Sequence, residues 1–410
     1  SDEDIKKPKG KGKKKASKLT LPVELLGQYT ELDYWHGYLP NEDTGNLLQE
    51  DGNYLLRRSV ELKDGPILLS VRKGKKVINV GIDESENGFI LEREFDTMQT
   101  LIDYYQVRKI PIKVDNMAVV LSTAVRRKHW ELSHKMVKIG EELGQGSYGT
   151  VYKALLRYPR QKESIPVAAK VLFGDIDACA ALWKEVRTML DYKHPNIVKF
   201  YGVCNDATPY YLIMEFVNGG SVDKYLIEVN PKASYHKRTV IAYEASSGIE
   251  YLHSQGCIHR DIAARNLLID TVTKVADFGL SRKSKKYKVD VEKPMNLRWI
   301  APDVFQSEVV DKATDVYAFG VTLFELFSVP YKVPYGTWNA DTVYEKVVEG
   351  GFRLKPPVDT PKDIGNLMRD CLQEPKLRPP FRHIQAFLVA MVYFLCSVNN
   401  EVGVEKQAQN

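Results

Sequence analysis

Residues 257–266, Cys257-Ile258-His259-Arg260-Asp261-Ile262-Ala263-Ala264-Arg265-Asn266, set an acid and, five positions on, a carboxamide in one short polar stretch. An amphipathic helical pattern, Thr239 to His253, ends just before it, and the apolar run Leu267-Leu268-Ile269 follows as a buried strand, so Asp261 and Asn266 fall on a loop. A merely solvated connection would look similar. Its meaning is decided by the chain on either side.

Downstream, Lys274-Val275-Ala276-Asp277-Phe278-Gly279 supplies a second acid. Upstream, a strand-like Lys138 to Leu143 leads into Gly144-Gln145-Gly146-Ser147-Tyr148-Gly149-Thr150-Val151. Two different nucleotide folds use such glycines. Here Val151-Tyr152-Lys153-Ala154 continues as strand, which disfavours a dinucleotide-binding turn and favours a phosphate-covering hairpin. In Val167 to Leu172 the alternation puts Ala168 and Lys170 on one face, so a small residue can roof an adenine while the ammonium reaches phosphates. Ile176 to Asp191 reads as a helix with Leu182, Glu185 and Met189 on one stripe, whereas Lys184 and Arg187 suit a solvated side. A carboxylate pointing inward is costly without a cation, and Lys170 is the obvious one. Strands at Lys199 to Val203 and Tyr210 to Phe216 follow His194-Pro195-Asn196-Ile197-Val198, and Gly219-Gly220-Ser221 marks the exit into a helical region.

In this order the motifs resemble a bilobal protein kinase domain over residues 137 to about 395. The resemblance implies that Asp261 orients and deprotonates the accepting hydroxyl, that Asn266 and Asp277 hold Mg2+ (Mn2+ being an alternative), and that Lys170 pairs with Glu185. It places ATP against Gly144, Gln145, Gly146, Ser147, Tyr148, Gly149, Val151, Ala168, Lys170 and Leu268, with a hinge from Glu215 to Val217 and Met214 just inside it. Ala263-Ala264-Arg265 and Trp299 resemble the tyrosine-kinase branch, which puts Arg265 beside an accepting protein tyrosine. Tyr287 is the expected activating phosphosite, because Ser281 to Arg298 carries seven basic residues against Asp290 and Glu292. Departures from the pattern are Asp303 for a glutamate that pairs with an arginine like Arg378, Tyr317 for a tryptophan, and Met295-Asn296-Leu297-Arg298 before Trp299. They bear on substrate preference and remove no catalytic group.

Residues 35 to about 121 read as a small α+β domain. Trp35-His36-Gly37 opens it, a short helix holds Leu47 and Leu48, and strand candidates at Asn53–Arg58, Ile67–Arg72 and Val77–Ile82 precede a helix near Thr97 to Tyr105. In Tyr54-Leu55-Leu56-Arg57-Arg58-Ser59, Leu55, Arg57 and Ser59 share a face. An arginine beside a leucine in a buried strand needs an anion. This stretch resembles the Phe-Leu-Val-Arg-Glu-Ser signature of SH2 domains, whose antiparallel sheet lies between two helices. The resemblance makes Arg57 the fork that grips a phosphotyrosine phosphate and Ser59 a second donor. Asn41 stands where that family has an arginine, Asn79 where it has a histidine and Gly81 where it often has a lysine, which predicts a weakened pocket. Arg58 and Glu61 alter the charge around the phosphate loop.

The whole is similar to the Fes/Fer group of non-receptor tyrosine kinases over roughly residues 25 to 395. The expected layout is a basic arm at 1–24, an SH2-like domain at 25–122, a linker at 123–136, the kinase domain at 137–395 and a polar tail at 396–410. Two rivals stand beside a working kinase with a phosphotyrosine-binding domain: a scaffold that transfers nothing, and a kinase whose SH2-like domain is purely structural.

With 410 residues and 44% hydrophobic composition, the chain can bury ample core. Its formal charge of +5 sits in residues 1–18, where eight lysines face Asp2, Glu3 and Asp4. That arm suits disorder and weak attraction to anionic lipid, hence peripheral contact with the inner face of the plasma membrane. No nucleic-acid module accompanies it, so nucleic acid is not an expected partner. Cys179, Cys204, Cys257, Cys371 and Cys396 show no metal-ligand spacing and read as reduced thiols of a cytoplasmic protein. The longest apolar run, Ala386 to Cys396, is too short to span a bilayer.

Overall fold

The computed structural model describes residues 28–62, 65–146, 149–173, 176–293 and 295–408, with side chains up to residue 395. The arm at 1–24, Ser147, Tyr148 and the Cys396 thiol therefore lie outside the described residues. Two compact units result: Ser1–Ala180 with Gly202–Ile213, and Ala181–Tyr201 with Met214–Asn410.

The first unit opens with a six-stranded sheet in sequential order: β1 (Trp35–Leu39), β2 (Tyr54–Ser59), β3 (Ile67–Lys73), β4 (Lys76–Ser85), β5 (Gly88–Leu91) and β6 (Arg93–Phe95). The sheet is antiparallel except that β1 runs parallel to β2, with Trp35 opposite Leu56. Two helices accompany it, α1 (Asn41–Leu47) and α2 (Met98–Val107). Thr97 caps α2 through its side chain, which accepts from the Thr100 amide, and this fixes where that helix begins. Trp35, Tyr54, Leu56, Leu69, Ile82, Leu101, Ile102 and Tyr105 form a continuous buried core.

A hairpin of β7 (Ile112–Val114) and β8 (Met117–Val119) leads to a second six-stranded sheet. Its order is β10 (Val137–Gly146), β11 (Gly149–Leu156), β12 (Ile165–Leu172), β14 (Tyr210–Glu215), β13 (Phe200–Cys204) and β9 (Glu131–Leu132). Within the first unit the SH2-like domain is stapled to this sheet. The Asn205 side-chain amide donates to the carbonyls of His36 at 2.8 Å and Tyr38 at 3.0 Å, while the Tyr38 amide donates to the Asn205 carbonyl at 2.8 Å. His36 bridges Glu131 of β9 at 2.7 Å and the Val125 carbonyl at 2.8 Å. Gly37 has φ +63°, and a β-carbon there would collide with the Asn205 carbonyl.

α3 (Ile176–Leu190) buries Leu182, Trp183, Glu185, Val186 and Met189, a wider stripe than the sequence suggested. In the second unit, the helix Tyr235–Ser254 starts earlier than its apolar pattern, because Ser234 caps it by accepting from the Lys237 amide at 3.2 Å. It is also buried almost all round rather than amphipathic, with Arg238 satisfied by the carbonyls of Pro231, Ala233, Leu326 and Ser328. The helix Lys312–Phe327 is buried along nearly its whole length and carries two buried acids, Asp315 and Glu325.

Candidate active site

The loop from His259 to Asn266 hangs between the strand Cys257–Ile258 and the strand Leu267–Ile269, which pairs with Thr273–Val275. Asp315 builds it. Its two oxygens accept from the amides of His259 and Arg260, each at 2.8 Å, and one of them meets His253 Nε2 at 2.9 Å. Burial pushes the Asp315 carboxyl up, but His253 and these further partners outweigh burial and hold its pKa below the ordinary aspartate value. Arg260 and Asp277 both adopt positive φ, +73° and +61°, conformations that non-glycine residues take at a cost.

This frame aims Asp261. Its side chain receives Asn266 Nδ2 at 2.8 Å and the Arg265 guanidinium, and its amide donates to His259 Nδ1 at 3.3 Å. Asn266 Nδ2 also donates to the Asp261 carbonyl at 2.8 Å. Because the amide nitrogen is spent in this way, Oδ1 is the Asn266 atom that could ligate a metal. The Ala276 amide donates to the Asn266 carbonyl at 2.9 Å and His259 Nε2 meets the Ala276 carbonyl at 3.1 Å, tying Asp277 to the same frame. Phe278 is buried with its ring 5.4 Å from His259 and 6.2 Å from Tyr192.

Arg265 stacks 4.3 Å over the Trp299 ring. Trp299 Nε1 donates at 2.9 Å to Glu325, which also accepts from the Ala264 amide at 3.0 Å and the Tyr331 hydroxyl at 2.8 Å. Burial pushes the Glu325 carboxyl up. Asp303 and Arg378 form a two-pronged pair, and Arg378 also donates to the carbonyls of Gln373 and Ala313, so the shorter acid keeps the junction closed. Tyr317 is fully buried, its hydroxyl 3.4 Å from that of Tyr335. Tyr287 lies on Lys286–Lys288, paired with Val309–Asp311, and its ring sits under Arg260 and Arg282. Arg282 and neighbouring cations hold its phenol below the usual tyrosine pKa.

The Glu215 amide donates to the Lys199 carbonyl at 2.8 Å, its carboxylate accepts from the Lys199 amide and Lys274, and the Val217 carbonyl accepts from Gly220 at 3.2 Å. Leu268 bridges to Ser221.

In the first unit, the hairpin of β10 and β11 opposes Gly144 to Val151 and Gly146 to Gly149. A side chain at Gly149 would strike the Val171 carbonyl. Val151 lies opposite Lys170 and Lys153 opposite Ala168, so Val151, Ala168 and Lys170 share one face, as the alternation predicts. Lys170 is buried on β12, and Glu185 is buried on α3. The ATP contacts expected of Ser147 and Tyr148 fall outside the described residues.

Arg57 is fully buried. It donates from Nε to Ser70 Oγ at 2.9 Å, from Nη1 to the Leu39 carbonyl at 2.7 Å, and from Nη2 to Asn41 Oδ1 at 2.5 Å and Asn79 Oδ1 at 3.2 Å. Ser59, expected as a phosphate donor, donates instead to Glu61 at 2.5 Å. Arg58 turns away to Glu84 at 2.6 Å and the Gly65 carbonyl at 2.8 Å. Sequence reasoning missed Asp315, Glu325 and Asn205. Two acids within the apolar run of one helix were the available signal for the first two.

Residues 137–388 match the family described as protein tyrosine and serine/threonine kinase, and residues 34–105 match the SH2 domain. The chain is 33% identical to human tyrosine-protein kinase Fer over 363 residues, 87% of this chain and 43% of that protein. It is 32% identical over 367 residues to the transforming protein Fps of avian sarcoma virus PRCII, covering 87% of this chain and 67% of the relative. It is 29% identical over 346 residues to Fer-related kinase 1 of Caenorhabditis elegans, 82% of this chain and 87% of that one. The chain thus spans less than half the length of Fer.

Proposed function

Because the chain belongs to the protein tyrosine and serine/threonine kinase family and carries an SH2 domain, we propose that it transfers the γ-phosphoryl group of ATP to tyrosine in protein substrates. The observation that carries this reading is the Asp261 constellation, in which a carboxylate is aimed by Asn266 and Arg265 and its loop is anchored on Asp315. Asp261 orients the phenol and accepts its proton. Arg265, over the Trp299 ring, borders the place of the accepting tyrosine, and the depth of the cleft leaves a shorter serine out of reach. Lys170 and the glycine hairpin are assigned to the phosphates, Glu185 to positioning Lys170, and Met214, Glu215, Val217, Ala168 and Leu268 to adenine. Catalysis of this kind is positioning and charge neutralisation.

Among the described residues no three His, Cys, Asp or Glu side chains converge as a metal site. Asn266 Oδ1 and the Asp277 carboxylate are two hard oxygens, which suits Mg2+ shared with ATP phosphates rather than a softer ion, and Mn2+ fits the same set. Such an ion, when bound, neutralises phosphate charge. Partners are protein tyrosines and, through Arg57, phosphotyrosine-bearing proteins. The Asn205 staple favours a second role for the SH2 domain as a brace on the second six-stranded sheet. Thiols at Cys179, Cys204, Cys257 and Cys371 suit a cytoplasmic compartment, with the lysine arm adding weak contact to anionic lipid. No described helix is long and apolar enough to cross a membrane.

The test is incubation of the full chain with labelled ATP, Mg2+ and a glutamate–tyrosine copolymer, with a serine-containing copolymer alongside. Label on tyrosine alone, lost on chelation by EDTA, is the expected result. Label on serine, or none with either divalent ion, would overturn the reading.

A further inference from the structure

Two donors beside the buried Arg57 converge on one carboxylate, and Arg57 acts on it by charge alone. The Asn41 amide donates to Glu61 Oε1 at 2.9 Å, the Ser59 hydroxyl donates to Glu61 Oε2 at 2.5 Å, and the Arg57 guanidinium exerts its charge on the same group. The Glu61 amide in turn donates back to Ser59 Oγ at 3.2 Å, closing a small ring. Burial alone would push this carboxyl up, yet its backbone and hydroxyl donors and Arg57 together hold it below the usual glutamate range. The guanidinium meanwhile spends its N–H groups on the neutral oxygens of Ser70, Leu39, Asn41 and Asn79.

We propose that Glu61 is a built-in stand-in for phosphate, a latch that keeps the phosphotyrosine pocket of this SH2 domain closed until it is displaced. The proposal rests on the phosphotyrosine reading of Arg57 and adds its regulation. A buried arginine favours an anion nearby, and Glu61, two residues beyond the strand that carries Arg57, brings its charge to bear on the guanidinium while its own hydrogen bonds go to Ser59 and Asn41. A tethered carboxylate is present at a high effective concentration, so a free ligand competes against it at a disadvantage. An entering phosphate must also recover Arg57 from Asn41 and Asn79, and it is repelled by the carboxylate if Glu61 stays. The two asparagines are therefore part of the closed arrangement, because each offers an oxygen to the guanidinium where a basic residue could offer none.

The experiment uses the full chain carrying Asp261→Asn, so that it makes no phosphotyrosine of its own. Fluorescence polarisation with a fluorescein-labelled pool of phosphotyrosine peptides, random at the flanking positions, is compared with the unphosphorylated pool. Weak binding is expected for Glu61 intact, at least about tenfold tighter binding for Glu61→Ala, and a gain for Glu61→Gln, which keeps acceptor shape and loses charge. Arg57→Ala added to Glu61→Ala removes binding. Thermal melting checks that each variant folds, and Glu61→Gln carries the test if the alanine variant melts early. Equal affinity of the parent and both Glu61 variants sinks the latch. The variant Asn41→Arg, Glu61→Ala, Asn79→His separates the two ideas. If it alone binds, the pocket reads phosphotyrosine and Glu61 is not what closes it. If no variant prefers the phosphorylated pool, the phosphotyrosine reading fails and the latch fails with it.

Discussion

The guanidinium of Arg260 lies 4.8 Å from the centre of the Tyr287 ring, and that of Arg282 lies 5.1 Å from it on the same strip of chain that follows Asp277. The basic segment around Tyr287 would otherwise be self-repelling. Its tyrosine is thus held by cation–π contacts next to the arginine that precedes Asp261.

A phosphate on Tyr287 would exchange these contacts for charge-assisted bonds to Arg260 and Arg282 and add about two negative charges. Tyr287→Phe should keep the basal rate and lose the rise that follows preincubation with ATP. A time course of copolymer phosphorylation checks it, and a full rise in the variant would place the switch elsewhere.

Lys170→Met and Asp261→Asn should each lower phosphotransfer by about a hundredfold or more, while the melting temperature stays within a few degrees. Initial rates at saturating ATP decide the matter.

Glu325→Ala leaves Trp299 Nε1 and the Ala264 amide without their buried acceptor and frees the platform under Arg265. The expected loss is in turnover of tyrosine substrate, with ATP affinity little changed, and steady-state kinetics in both substrates would show the split.

At Gly37 a β-carbon has no room against Asn205 and the backbone has φ +63°. Gly37→Ala should therefore cost on the order of 2–4 kcal/mol, and Asn205→Ala about 1–3 kcal/mol, by unstapling β1 from the second six-stranded sheet. Limited proteolysis near residues 120–130 should accelerate in both. Unchanged melting and cleavage would show that the staple contributes nothing.

Asp206 accepts from Ser133 Oγ at 2.8 Å and pairs with His134; burial opposes its ionisation, but those partners keep its pKa below the ordinary value, as for Asp315. A depressed folded pKa means that the unfolded chain binds the proton more readily. The stability these acids confer is complete above the unfolded aspartate value of about 4 and is lost as pH falls through their lower folded values. Urea unfolding should show stability dropping below about pH 4, and Asp315→Asn should be weaker at pH 7 while losing less between pH 7 and pH 3.

The sequence by itself determined the family and the order of its motifs along the chain: Gly144 to Val151, Lys170, Glu185, Asp261 to Asn266 and Asp277 are set by local spacing. Strand alternation put Ala168 and Lys170 on one face, and the register confirms it. Helical periodicity turned Glu185 inward, and α3 buries it. What only the tertiary structure decided are the long-range polar partners: Asp315 under the loop of Asp261, Glu325 beneath Trp299, Asn205 on β1, and Glu61 on the Asn41 amide. A hydrogen bond between residues 55 or 169 positions apart leaves no period in the chain, because it depends on how sheets and helices stack rather than on how each one repeats. For the same reason Asn41, a missing cation by its residue type, proves to be an acceptor that the buried arginine already uses.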